Sequence, residues 1–167
     1  MTIEEAIKTA VEYEVRIRDI YREATAAVND EVGKRIFETL CNDEQHHIDC
    51  LHHKLKQWRD SGTIVPERLD SAIPSAEAVN REAEKIQSLV AKDFLGIRRQ
   101  MLSKALKMEI ETSDFYQKMV NELPAEGRGL FERFLEIENN HIKAVQFELD
   151  YLSKTGYWFD IKEFDME

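Results

Sequence analysis

The chain is short of the features that would assign it to most protein classes. Of its 167 residues only six are glycine and three are proline, so little stands in the way of continuous helix. Its two cysteines, Cys41 and Cys50, form no CxxC pair. On one helix they would lie ~13 Å apart, beyond the ~7 Å limit for a disulfide, so both read as buried or partly buried thiols. No run of about 18 apolar residues is present, which excludes a bilayer-spanning helix. Positive charge is in deficit, with 23 Lys and Arg against 33 Asp and Glu and a net charge of −10. No basic face exists to release phosphate counterions, which argues against nucleic acid and anionic membranes as partners. The opening Met1-Thr2-Ile3-Glu4-Glu5 has neither the charged nor the apolar region of a signal peptide, so a cytoplasmic location is expected.

What is present is helical patterning. At 43% hydrophobic residues the chain is globular, and its length suits one domain with a single core. Ile3, Ile7, Ala10, Glu14, Ile17, Tyr21, Ala24 and Val28 recur at alternating spacings of four and three, one stripe of a bundle helix. Turn-forming residues follow at 29–33. A second stripe runs through Phe37, Leu40, Glu44, His47, Leu51, Leu55 and Trp58, in a helix expected over about 34–59 and ended by Ser61-Gly62. A third helix is expected over about 93–123, with Leu95, Arg98, Leu102, Ala105, Glu109, Thr112, Tyr116, Met119 and Leu123 on its stripe. A fourth is expected over about 128–154, with Phe131, Phe134, Glu138, His141, Val145, Leu149 and Leu152. Pro124 to Gly127 should break the chain before it, and Gly156 should cap its end in the left-handed conformation. The stretch 60–92 holds Pro66 and Pro74 and reads as a long crossover, with a short helix expected over 75–90. Short links inside each pair and a long link between pairs predict an all-α four-helix bundle of two antiparallel hairpins. That is the ferritin-like connection. It makes residues 1–155 one domain, followed by an aromatic and acidic tail, 156–167, that should fold onto the bundle or a second subunit.

The two halves repeat the same chemistry. Glu14 and Tyr21 precede Glu44 and His47; Glu109 and Tyr116 precede Glu138 and His141. Glu44 lies 30 residues after Glu14, and Glu138 lies 29 after Glu109. All six carboxylates and imidazoles fall on apolar stripes near mid-helix. Ionised Glu at such positions costs several kcal/mol unless paired or metal-bound. Two divalent cations would balance four carboxylates. An ExxH pair sets both side chains on one face, ~4.5 Å apart along the axis, so one ion can take a Glu and a His while a Glu bridges to the other. Glu14, Glu44, His47, Glu109, Glu138 and His141 are therefore the candidate ligands of a two-metal site. Oxygen and nitrogen donors suit two iron ions, with manganese equally compatible. Tyr21 and Tyr116 are candidate hydrogen-bond or proton donors to the ligand carboxylates, and Asp43 is a candidate to orient His141. His46, His52 and His53 lie off the stripe and should face solvent.

On these residues the chain resembles the rubrerythrin branch of the ferritin-like superfamily over roughly residues 3–154. The resemblance implies a di-iron oxidoreductase that reduces hydrogen peroxide or dioxygen, with Tyr21 and Tyr116 beside the reaction. No paired CxxC motif of a rubredoxin domain occurs here, so electrons are expected from an external donor such as a rubredoxin-like protein, and a homodimer is expected. The family carries an extra ligand Glu one turn beyond the third-helix Glu; this chain has Thr112 there, with Glu111 off the stripe. An iron-binding, ferroxidase, storage or trafficking role is the alternative.

Overall fold

Caps bound three of the long helices. In a computed structural model that describes residues 1–66, 69–86 and 96–164, α1 covers Ile3–Ala27 and starts at a capping box. Thr2 Oγ1 accepts from Glu5 N at 3.2 Å, and Thr2 N donates to the Glu5 carboxylate at 2.8 Å. The second helix, α2, covers Glu31–Ser61, and Asp30 caps it by accepting from Gly33 N at 2.9 Å. The break between them is thus shorter than residues 29–33. With Asp30 as cap, Glu31, Val32 and Gly33 supply the first helical turn. Gly62, at φ 67°, closes α2 in the left-handed region.

Within the crossover, α3 covers Ala76–Ile86, with Ser75 Oγ accepting from Ala78 N at 3.2 Å. Residues 87–90, where its expected end falls, and Leu95 lie outside the described residues. The fourth helix, α4, covers Gly96–Glu122, and α5 covers Ala125–Thr155. The break at 124–127 also contracts, here to Leu123 and Pro124. Pro124 sits at φ −65° as N-cap, so Ala125, Glu126 and Gly127 are helical. Gly127 answers a packing demand: a Cβ there would lie 2.9 Å from Ile3 Cγ1. Gly156, at φ 80°, ends α5 as its sequence position implied.

The pairs α1–α2 and α4–α5 pack as hairpins, α1 packs on α4, and α3 lies against α5. Two long-range hydrogen bonds give the direction of the α1–α4 contact. Tyr21 reaches Glu109 and Tyr116 reaches Glu14, so the two helices run antiparallel. The core divides in two. One half gathers Ile17, Phe37, Leu102, Val145 and Leu152; the other gathers Ile7, Leu51, Met119, Phe131 and Phe134. Between them lies a buried polar layer.

Residues 156–164 of the tail pack on the bundle's own surface; 165–167 lie outside the described residues. Trp158 meets Phe37 edge to face at 5.4 Å, Phe147 receives both Phe159 and Phe164 at 5.2 Å, and Asp160 pairs with Arg35 at 2.7 Å. Gly33 permits this approach, since a Cβ there would lie 2.7 Å from the Trp158 indole nitrogen. Among the described residues, no helix is long and apolar enough to cross a membrane.

Candidate metal centre

The polar layer is made by the repeated residues. Glu14, Glu44, His47, Glu109, Glu138 and His141 each have 0% exposure. Each long helix supplies its part because a carboxylate or imidazole replaces an apolar residue at one point of the stripe, and the bundle turns every stripe inward. The layer contains two groups of four: Glu14, Glu44, His47 and Glu138, and Glu44, Glu109, Glu138 and His141. Glu44 and Glu138 belong to both. Glu44 spans the centre, with Oε2 at 3.1 Å from His47 Nδ1 and Oε1 at 2.7 Å from His141 Nδ1. The two imidazoles stack with centroids 5.4 Å apart. Among the described residues, Glu109 Oε2 and both Glu138 oxygens are buried without a hydrogen-bond partner, and Glu44 Oε1 and His141 Nδ1 face each other at 2.7 Å outside hydrogen-bond geometry. Orphaned donor atoms of this kind are costly, and two cations would satisfy them. The donor set therefore fits two metal ions, with Glu44 and Glu138 common to both groups.

Protons do part of that work in the metal-free site. Burial, reinforced by the charges of Glu14 and Glu109, raises the Glu44 carboxyl to about 8. Burial likewise pushes Glu138 far above the carboxylate range. For Glu14 burial acts upward, but hydrogen bonds from Glu44, His47 and Tyr116 outweigh it and hold the group down. His47 is disfavoured as a cation by burial, yet the carboxylates of Glu14 and Glu44 lift it to about 10. Burial likewise acts downward on His141, and Glu44, Glu109 and Asp43 raise it. Metal ligation needs these groups deprotonated, so metal and protons compete for one set of atoms.

The surrounding residues fix the ligands. Tyr21 donates to Glu109 Oε1 and Tyr116 donates to Glu14 Oε1, each across the hairpin interface. Burial raises both phenols well above their ordinary value, so they stay protonated donors. Asp43 Oδ2 lies 2.8 Å from His141 Nε2 and 3.7 Å from His47 Nε2. It accepts from Ser71 Oγ at 2.7 Å, while Oδ1 accepts from Ala72 N at 3.2 Å. Ser71 and Ala72 belong to the crossover and carried no sequence signal. Thr112 is buried, and its hydroxyl donates to Met108 O at 2.9 Å, back onto its own helix. His46, His52, His53 and Glu111 are exposed. Cys41 and Cys50 are half-buried on α2 and belong to neither group.

A four-helix bundle with a long crossover, carrying at its centre two carboxylate and histidine groups that share Glu44 and Glu138, defines a ferritin-like protein with a site suited to two metals. A family model described as Rubrerythrin matches residues 5–149, and the chain belongs to that family. No curated protein and no solved structure matches it significantly.

Proposed function

We propose that the protein is a di-iron oxidoreductase that reduces hydrogen peroxide, or dioxygen, with electrons from a separate donor. The observation that carries this reading is the pair of buried four-residue groups sharing Glu44 and Glu138. Glu14 and His47 would hold one iron, Glu109 and His141 the other. Two ferrous ions supply two electrons together, which matches the two-electron cleavage of an O–O bond. The chain's own groups do the rest. Tyr21 and Tyr116 orient Glu109 and Glu14, and are the nearest phenolic protons to the ligand carboxylates. Asp43 orients His141. The apolar clusters on either side exclude water.

Rapid mixing of the anaerobically ferrous-loaded protein with peroxide or dioxygen tests the reading, followed by near-ultraviolet absorbance. Two irons per chain, oxidised faster by peroxide than by dioxygen, is the expected result. Glu44→Ala combined with Glu138→Ala should abolish two-ion loading and turnover; survival of both would overturn the assignment.

Thr112 favours a second reading. The position where the family carries an extra Glu has no carboxylate, and its hydroxyl is engaged by Met108 O. A centre restricted to six ligands would then serve ferrous-iron oxidation, storage or trafficking, and dioxygen would be the faster oxidant.

A further inference from the structure

The two imidazoles of the ligand layer have a second face. Their Nδ1 atoms look inward to the layer's carboxylates, and their Nε2 atoms look outward to Asp43. Asp43 Oδ2 lies 2.8 Å from His141 Nε2 and 3.7 Å from His47 Nε2. The three residues form a group of their own, in which every donor atom lies within 4.8 Å of the others. His47 is fully buried, and among the described residues its Nε2 has no hydrogen-bond partner. An orphaned buried nitrogen is costly, and the Asp43 oxygen is too far away to relieve it.

Helix spacing produces this face. Asp43 and His47 are four residues apart on α2, hence neighbours along one side of it. From α5, His141 reaches the same carboxylate. Asp43 is also one wall of an open hollow of about 430 Å³ between α2 and the crossover, where Asn42, His46 and Ala72 are exposed. The carboxylate accepts from Ser71 Oγ at 2.7 Å and from Ala72 N at 3.2 Å on that side. Asp43 thus belongs both to the hollow and to the group.

We propose that Asp43, His47 and His141 hold a single divalent transition-metal ion on the outer face of the imidazole pair, as an alternative to filling the ligand layer. One carboxylate and two imidazoles suit zinc, cobalt or ferrous iron, whereas magnesium and calcium prefer oxygen donors throughout. A cation bound at ~2.1 Å to each donor sets neighbouring donors ~3–3.4 Å apart, between the two distances seen at Asp43. Three protein ligands leave a further position that water from the hollow can take. Proton placement makes the two modes exclusive. A neutral imidazole carries one proton. With metal on Nε2 the proton sits on Nδ1, where His47 faces Glu44 and Glu14 at 3.1 and 3.3 Å and His141 faces Glu44 at 2.7 Å. With metal on Nδ1 it sits on Nε2 and turns to Asp43. The layer's carboxylates and Asp43 exchange the tasks of ligand and orienting acceptor. No oxidant takes part, so the inference goes beyond the proposed reaction and shares with it only the two histidines.

The test uses the metal-free full-length chain carrying Glu44→Gln and Glu138→Gln, which removes the carboxylates common to both groups of the layer, with Zn²⁺ as probe. The expected result is one Zn²⁺ per chain by calorimetry, undisturbed by Mg²⁺. Imidazole nitrogen NMR should place the metal on Nε2 and the proton on Nδ1 of His47 and His141. Adding Asp43→Ala should weaken Zn²⁺ by more than the ~10–100-fold that loss of an orienting residue causes. Glu44→Leu with Glu138→Leu, apolar replacements of similar volume, should give the same result and guards against a folding defect in the first pair. Zinc on Nδ1, competition by Mg²⁺, no binding in either pair, or a loss of about 100-fold or less with Asp43→Ala would overturn the proposal. Absent peroxide turnover in the iron-loaded wild type would leave it standing, so the two readings fail separately.

Discussion

Asp43→Asn should unbalance the two metal positions. Ligation through Nδ1 leaves the His141 proton on Nε2, where it faces Asp43 Oδ2 at 2.8 Å. The same oxygen accepts from Ser71, and Oδ1 accepts from Ala72 N. Every neighbour of this carboxylate is a donor. An amide cannot satisfy them in either orientation: its NH2 opposes Ala72 N–H in one, and Ser71 and His141 in the other. One buried charge-assisted hydrogen bond is lost, worth about 1.5–3 kcal/mol, which corresponds to ~10–100-fold in metal affinity. His47 Nε2 stands 3.7 Å away, beyond a good hydrogen bond. The loss should therefore fall on the Glu109 and His141 position. Anaerobic calorimetric titration with ferrous iron or Mn²⁺ reads this directly. Wild type should take two ions; the variant should keep one near its original affinity and weaken the other. Ser71→Ala should act in the same direction and less, since it removes a neutral donor worth about 0.5–1.5 kcal/mol. Equal weakening of both positions, or no change, would refute the argument.

Glu148 is 3% exposed, accepts from Phe159 N at 3.2 Å and has no partner on Oε1 among the described residues; burial raises its pKa well above the ordinary value. A raised folded pKa means the protonated form is favoured on folding. Wild-type stability contributed by this group is then full below the unfolded value and falls by up to about 1.4 kcal/mol per pH unit as pH rises toward the folded one. Glu148→Gln should match wild type near pH 4 and melt higher at neutral pH; a difference independent of pH in urea or thermal unfolding would refute this. Tyr21→Phe and Tyr116→Phe should each destabilise the metal-free protein by about 1–3 kcal/mol, because each strips one donor from a buried carboxylate, and chemical denaturation should give similar values for both. Metal binding should release protons and tighten with rising pH, since His47 is lifted to about 10 and Glu44 to about 8 in the metal-free site; calorimetry in buffers of different ionisation enthalpy counts the protons, and a count of zero would contradict it.

Sequence alone determined the helices, the hairpin pairing and the six residues of the central layer. The reason is periodicity: Glu14, Glu44, His47, Glu109, Glu138 and His141 sit in phase with apolar neighbours, and a stripe that must face inward takes its polar members with it. Breaks were less legible. Residues 31–33 and 125–127 have turn-like composition, yet Asp30 and Pro124 cap helices whose first turns accept such residues. The lysine at 54 and the glutamate at 148 were also beyond pattern reading, because charged residues normally face solvent and these two are buried where they meet Val65 and Phe159. Tertiary structure decided which partners meet. It set Tyr21 on Glu109 rather than on its own helix's Glu14, let Glu44 span both imidazoles, and delivered Ser71 to Asp43. Apart from Glu44 and His47, three residues apart on one helix, these contacts join positions 28 to 97 residues apart in the chain. Helical phase says which way a side chain points; the crossing of helices says what it finds there.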